Sequence, residues 1–144
     1  MATETKLRQL ADKGCPVYYF YSSERYLVRQ AVAAATRILT ADSDEDATVL
    51  DGAAPEIEQL IMAAGTISFF GTRRVVVLPE IDPAAYSDKD LEELNSTLSS
   101  LENAVVVLGS VFELERSKLK TGKRAQKLIA QCKALGYTEE LAKP

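Results

Sequence analysis

Two runs of consecutive apolar residues constrain the fold of this 144-residue chain more than any other feature. They read VVVL at 75–78 and AVVVL at 104–108. A strand with one face in water alternates apolar and polar residues, whereas both of these runs are continuous. Each therefore predicts a strand that is covered on both faces of a sheet.

Helical periods separate further strand-like segments along the chain. The strand-like segments are 16–21, 47–52, 73–80, 103–110 and, more weakly, 136–141. Between them apolar residues recur at helical spacing, as in the leucines at 91, 94, 98 and 101, and a first helix is expected over 3–13. Strand and helix alternate strictly, which predicts right-handed βαβ units. We expect an α/β fold of three layers, with a mostly parallel five-stranded sheet between helices.

Composition narrows the class of protein. The chain is 47% apolar with a net charge of −4 and a pI near 5.0, which argues against a general binder of nucleic acid or anionic membranes but allows a local basic patch. No apolar stretch approaches the roughly 20 residues that span a bilayer. The N-terminus lacks the apolar core of a signal peptide, and two cysteines provide no disulfide framework. We therefore expect a cytoplasmic protein without a membrane partner.

The chain contains no histidine and only two cysteines. The lack of histidine excludes Ser-His-Asp and Cys-His catalysis and any His-ligated zinc site. Two cysteines are too few for an all-thiolate metal site. We expect no metal site.

The first strand–helix turn, YSSERY at 21–26, lies where an open parallel sheet binds phosphate. A P-loop needs glycines, whose amides surround the phosphates, and a lysine followed by Ser or Thr. This turn has neither, and Ser22 and Ser23 are instead expected to cap a helix that begins near Glu24. The turn predicts a degenerate nucleotide site with no bound cofactor.

The third strand ends in Pro79-Glu80, where a P-loop protein carries its magnesium-binding aspartate. We expect Glu80 near the carboxyl edge of the sheet. Glu80 leaves open one alternative, a divergent P-loop nucleotide-binding enzyme or ATPase that holds a metal there. Without a phosphate loop opposite Glu80, we favour a domain that has no catalytic residues.

Six cations with no acid between them form the strongest charge cluster of the chain. They are Arg116, Lys118, Lys120, Lys123, Arg124 and Lys127. One interpretation is the solvated start of a helix, although cations are unfavourable at that end of a helix dipole. The other is a contact with the phosphate backbone of DNA or with an acidic partner.

The segment TISFFGTRRVVVLPE at 66–80 places two phenylalanines side by side. Adjacent side chains cannot share one face of a regular element, so at least one of Phe69 and Phe70 points away from its own element. From the residues alone, the pair either packs inward under the last helix or protrudes to contact a partner.

Taken in order, these segments resemble the N-terminal domain of the delta subunit of bacterial DNA polymerase III, a part of the sliding-clamp loader. The matching pieces are VYYFYSSERYLVRQA, VLDG, FFGTRRVVVL, NAVVVLGS and ELERSKLKTGKRAQKL, which together span about Val17 to Leu141. Ser22 departs from the glycine that is common in the family. Nothing corresponds to the helical lid or the C-terminal collar of the family, so residues 1–144 are expected to be a single AAA+-like N-terminal domain, excised or truncated.

The resemblance implies an AAA+-type, RecA-like P-loop NTPase fold that binds no ATP and that belongs to a non-catalytic part of a DNA-directed DNA polymerase. The implied clamp-binding element consists of Ile67, Ser68, Phe69, Phe70 and Gly71. In this element the three apolar side chains enter a hydrophobic pocket on the clamp, and the serine and glycine shape the turn.

The implied function is to bind and help open the DNA sliding clamp (the beta subunit) during chromosomal DNA replication in the bacterial cytoplasm. The other loader subunits, delta-prime and gamma/tau, are implied partners of a full-length protein, and primed DNA at the basic cluster is a secondary one. A plain α/β scaffold with no clamp partner stays as an alternative.

Overall fold

The computed structural model describes residues 3–43, 45–65 and 73–142. Five of the described strands form one sheet, namely β1 (Val17–Ser22), β2 (Thr48–Val49), β3 (Arg74–Leu78), β4 (Ala104–Val111) and β7 (Tyr137–Glu140). Their order in the sheet is β2-β3-β4-β1-β7, and every neighbouring pair is parallel. The predicted five-stranded sheet is confirmed. A separate antiparallel hairpin, β5 (Leu114–Glu115) with β6 (Lys118–Leu119), was not predicted.

The described residues form five α-helices, of which the first precedes β1 and each of the other four leads from one strand to another. They are α1 (Glu4–Asp12), α2 (Arg25–Thr40), α3 (Ile57–Gly65), α4 (Asp88–Ser99) and α5 (Gly122–Leu135), and a short 3₁₀ helix covers Pro83–Ala85. Two of their ends follow directly from the sequence. Ser87 caps α4 by accepting a hydrogen bond from the amide of Asp90, and α5 ends immediately before Gly136.

The helices cover both faces of the sheet, as the continuous valine runs predict. On one face, Tyr18 and Phe20 of β1 pack with residues of α1 and α2. On the other face, Val17 and Tyr19 pack with residues of α3, α4 and α5. All four side chains are almost fully buried, and burying a large apolar side chain stabilises a fold by roughly 1.5–3 kcal/mol. The three-layer arrangement is confirmed.

In the part of the chain that the structure describes, no helix is long and apolar enough to cross a membrane.

Candidate functional site

The carboxyl edge of the sheet carries the turn in which a P-loop would bind phosphate. Strand β1 ends at Ser22 and α2 begins at Arg25, so only Ser23 and Glu24 connect them. A P-loop motif is about eight residues long, and it wraps its amides around the phosphates. A connection of two residues is too short to do this.

Ser22 occupies this turn with its own hydrogen bonds. Its buried hydroxyl donates to the carbonyl oxygen of Leu141 (2.7 Å) and accepts from the amide of Glu24 (3.1 Å). The expectation that Ser22 and Ser23 cap α2 is therefore wrong: Glu24 holds the N-cap position and makes no side-chain cap bond. The physical reason is that β1 continues through Ser22, whose hydroxyl is held inside the protein rather than at the helix end.

Glu80 lies at the carboxyl edge, as expected, and pairs with the first residue of α2. Nε of Arg25 donates to Oε1 of Glu80 at 2.7 Å. This hydrogen bond and the nearby carboxylate charge raise the pKa of the Arg25 guanidinium. The carboxylate that a P-loop enzyme would direct to magnesium thus contacts an arginine.

A chain of buried hydroxyl groups fixes the segment that follows Glu80. Tyr19 and Ser110 share a hydrogen bond of 2.6 Å between their hydroxyl groups, and Ser110 donates to the carbonyl oxygen of Ile81 at 2.8 Å. The amide of Ile81 in turn donates to the carbonyl oxygen of Gly109 at 2.8 Å. Burial raises the pKa of Tyr19 well above its usual range, so its hydroxyl stays protonated. These bonds attach the segment after β3 to β4 and hold Glu80 beside α2.

A cleft of about 490 Å³ opens beside the Arg25–Glu80 pair. Asp82, Glu113 and Lys120 also line it, so its charges are mixed. Among the described residues, no group of three or more His, Cys, Asp or Glu side chains is placed to hold a metal ion. The cleft offers neither a phosphate loop nor a cluster of metal ligands in the part of the chain described.

The basic cluster is divided between two elements. Arg116 lies in the turn of the β5–β6 hairpin, Lys118 in β6 and Lys120 just after it, whereas Lys123, Arg124 and Lys127 belong to α5. The interpretation of the whole run as the start of a helix is therefore wrong, since α5 begins only at Gly122. The amide of Lys120 closes the hairpin by donating to the carbonyl oxygen of Glu113 (2.7 Å).

The three cations of the cluster that belong to α5 have different surroundings. Nε of Arg124 donates to Oδ1 of Asp88 at 2.9 Å, which ties α5 to the start of α4. Lys123 and Lys127 are exposed one turn apart, and within the described residues neither makes an ion pair. Residues four apart are neighbours on a helix surface, so these two lysines place adjacent positive charges on α5. Arg116, Lys118 and Lys120 are exposed as well.

All five residues of the expected clamp-binding element, Ile67, Ser68, Phe69, Phe70 and Gly71, lie outside the described residues. The structure does describe what precedes and follows them, namely the end of α3 at Gly65 and the start of β3 at Arg74. Arg73, the residue before β3, is held by two hydrogen bonds. Its guanidinium donates to the carbonyl oxygens of Gly14 (3.1 Å) and Ala104 (3.4 Å). The expectation for residues 67–71 stays a prediction.

The sheet order and the helices on both faces define an α/β protein of the RecA-like kind. Among solved structures, the chain is similar to a DNA polymerase III gamma subunit-related protein from Thermotoga maritima MSB8, with a TM-score of 0.67 and 14% identity. The match covers 99% of this chain and 47% of that one, so this chain spans about half the length of that protein. At this identity the likeness shows the fold, and it confirms the fold prediction. No protein-family model and no curated protein matches the chain.

Proposed function

We propose that this chain is a non-catalytic protein-binding module of a clamp loader, one that binds a DNA sliding clamp and helps to open it. The observation that carries the proposal is the RecA-like fold, which the chain shares with a DNA polymerase III gamma subunit-related protein over 99% of its length. Several sequence segments of the chain resemble the delta subunit and occur in the same order along the chain. This resemblance narrows the proposal to a subunit that contacts the clamp.

The geometry at the carboxyl edge of the sheet supports a function that does not require a bound nucleotide. The two-residue turn after β1 leaves no loop to surround phosphates, and Glu80 is engaged by Arg25. A subunit of this kind acts through the surfaces that it presents to partners.

We assign clamp binding to Ile67, Phe69 and Phe70, with Ser68 and Gly71 shaping the turn. Burying a phenylalanine side chain in a pocket contributes roughly 1.5–3 kcal/mol, and a few buried aromatic residues commonly dominate an interface. Opening a ring requires more than affinity, because the module must bind the open clamp better than the closed one. The anchored guanidinium of Arg73 next to the element would help to transmit such a preference to the sheet.

Substitution of the phenylalanines tests the proposal. Phe70→Ala is expected to weaken binding to a bacterial clamp at least tenfold, and Phe69→Ala with Phe70→Ala to abolish the complex in gel filtration. The loss of one buried phenylalanine corresponds to about 2 kcal/mol, which is roughly 30-fold in affinity.

Tyr26→Ala is the matched control, because Tyr26 is an aromatic residue of α2 that is 51% exposed. This variant should bind the clamp like the parent chain, and circular dichroism should be the same for all variants. Full clamp binding by the double phenylalanine variant would contradict the proposal.

The exposed lysines of α5 favour a second contact, with the phosphate backbone of primed DNA. Lys123 and Lys127 lie on one surface of the helix and make no ion pair among the described residues. A protein of net charge −4 would bind DNA there only through such a local patch.

A further inference from the structure

A groove runs between α3 and α4 on the surface of the molecule. Its wider half has a volume of about 500 Å³, and the apolar side chains of Ile61, Ala64 and Leu101 line it together with polar residues of α4 and of the segment after it. A narrower half of about 290 Å³ continues beside the first turns of the two helices, and Glu93 lines both halves. The two halves therefore meet at Glu93 of α4.

Ile61 is placed unusually for a surface helix. The residues of α3 that face the core are buried, with Ile57 6% and Leu60 1% exposed, whereas Ile61 is 52% exposed. An amphipathic helix of a monomeric protein places polar residues on its outer face. Met62, the next residue, is 73% exposed, and neighbouring exposed apolar side chains with polar residues around them commonly mark a surface that binds another molecule.

The charges along the groove are all negative. The charged residues that line its two halves are Glu56, Glu58, Asp90, Glu93 and Glu102, and no lysine or arginine is among the described residues that line it. Five carboxylates that line one groove repel nucleic acid and anionic membranes and attract a cationic partner.

We propose that the α3–α4 groove is a docking site for a basic amphipathic helix of a partner protein. An apolar stripe with residues at i, i+3, i+4 and i+7 would lie on Ile61, Ala64 and Leu101, as in other helix-in-groove complexes. Lysine or arginine side chains next to that stripe would face the carboxylates of the rim. The 12 residues of α4 extend over roughly 18 Å, which accommodates three turns of such a helix.

The docking site shares no residue with the proposed clamp-binding element, because its lining residues lie within 54–65 and 85–103. It does not require that residues 67–71 bind a clamp. A partner helix in this groove would provide the chain with a second attachment, to a protein of opposite charge.

A pair of labelled 14-residue peptides tests the proposal on the complete chain. One peptide has leucine and lysine at helical spacing, and the other has glutamate at every lysine position. Fluorescence anisotropy is expected to show salt-sensitive binding of the lysine peptide and at least tenfold weaker binding of the glutamate peptide. Equal binding of the two peptides, or no binding of the lysine peptide, would overturn the proposal.

Two sets of variants locate the binding. Ile61→Gln is expected to lower the affinity for the lysine peptide at least tenfold. Glu93→Gln with Glu102→Gln is expected to lower this affinity several-fold and to make it less dependent on salt. Leu114→Gln is the control for the apolar change, because Leu114 is 58% exposed on the hairpin. If Ile61→Gln and Leu114→Gln have the same effect, the groove is not the site.

Two further outcomes would assign the groove to another occupant and reject the proposal. One is self-association of the parent chain that disappears in Ile61→Gln, which would indicate a second copy of the chain. The other is peptide binding that appears only after Phe69→Ser with Phe70→Ser, which would indicate that the chain covers its own groove. Phe70→Ala is expected to bind the lysine peptide like the parent chain. The peptide test therefore does not depend on whether residue 70 contacts a clamp.

Discussion

Burial distinguishes the two cysteines of the chain. Cys132 of α5 is fully buried in the core beside α3 and α4, and burial raises the pKa of its thiol to about 12. Cys15 is only half-buried, and its thiol donates to the carbonyl oxygen of Val17 at 3.4 Å. Since the thiolate is the reactive form, the two residues should differ in reactivity.

We expect the native chain to titrate one thiol at pH 8 with a disulfide reagent such as 5,5′-dithiobis(2-nitrobenzoate), and two thiols after denaturation. Cys15→Ser should remove the fast reaction, because Cys132 is then accessible only when the structure opens. Rapid reaction of both thiols in the folded protein would contradict this assignment.

The raised pKa of Cys132 also predicts how stability depends on pH. The pKa rises from 9.0 for an ordinary thiol to about 12 in the folded chain, so the folded state binds the proton more tightly than the unfolded state. The contribution to stability is complete below pH 9 and is lost between pH 9 and 12, at about 1.4 kcal/mol per pH unit. Urea titrations of Cys132→Ala should therefore show a shallower alkaline loss than the parent chain.

Ser22 shows where local sequence patterns fail at the residue scale. A serine just before a helical period predicts a cap, and that prediction was wrong. Its hydroxyl is used by the carbonyl oxygen of Leu141, 119 positions along the chain. A bond between the ends of two strands depends on the assembled sheet, and no local pattern encodes it.

At the scale of elements, the five strands of the sheet were predictable and the β5–β6 hairpin was not. The sheet strands are apolar runs that must be covered, and this requirement is visible in the sequence. Each hairpin strand contributes one leucine, Leu114 or Leu119, among charged residues. The turn uses Arg116 and Ser117 at positive φ of 52° and 69°, in place of the Asn-Gly or Asp-Gly pairs that identify such turns.

The hairpin changes which residues of the basic cluster are expected to act together. Arg124 is engaged with Asp88, and Lys118 lies opposite Glu115 in the hairpin register. We therefore expect Lys123 and Lys127, which are adjacent on the surface of α5, to act together as a phosphate contact.

If these lysines contact DNA, Lys123→Gln with Lys127→Gln should weaken binding to a primed-template DNA. The slope of log affinity against log salt should fall by about 2, because each lost phosphate contact removes about 0.9. Electrophoretic shifts at several salt concentrations measure both quantities.

Lys6→Gln with Lys89→Gln is the matched control, since it removes the same charge from exposed positions on α1 and α4. Equal losses in the two double variants would show that only the net charge matters. That result would reject a specific DNA contact on α5.

For the whole molecule, the fold was predictable because every level of the sequence agrees on it. The valine runs require helices on both faces of the sheet, and the apolar residues at helical spacing predict those helices. The alternation of strands and helices then predicts a parallel sheet. The candidate site was predictable only in part. The position of Glu80 at the carboxyl edge follows from the sequence, whereas the pairing of Glu80 with Arg25 joins residues 55 positions apart.

The rival function, a divergent P-loop enzyme, makes a prediction that concerns the whole molecule. A nucleotide present at 100 times its dissociation constant would stabilise the folded chain by about 2.7 kcal/mol, which raises the melting temperature by several degrees. We expect millimolar ATP with magnesium to leave the melting temperature of the chain unchanged. Arg25→Ala should give the same result, because freeing Glu80 does not lengthen the turn between Ser22 and Arg25. A shift of several degrees that disappears in Glu80→Gln would place a metal-bound nucleotide at the carboxyl edge and reject the non-catalytic role.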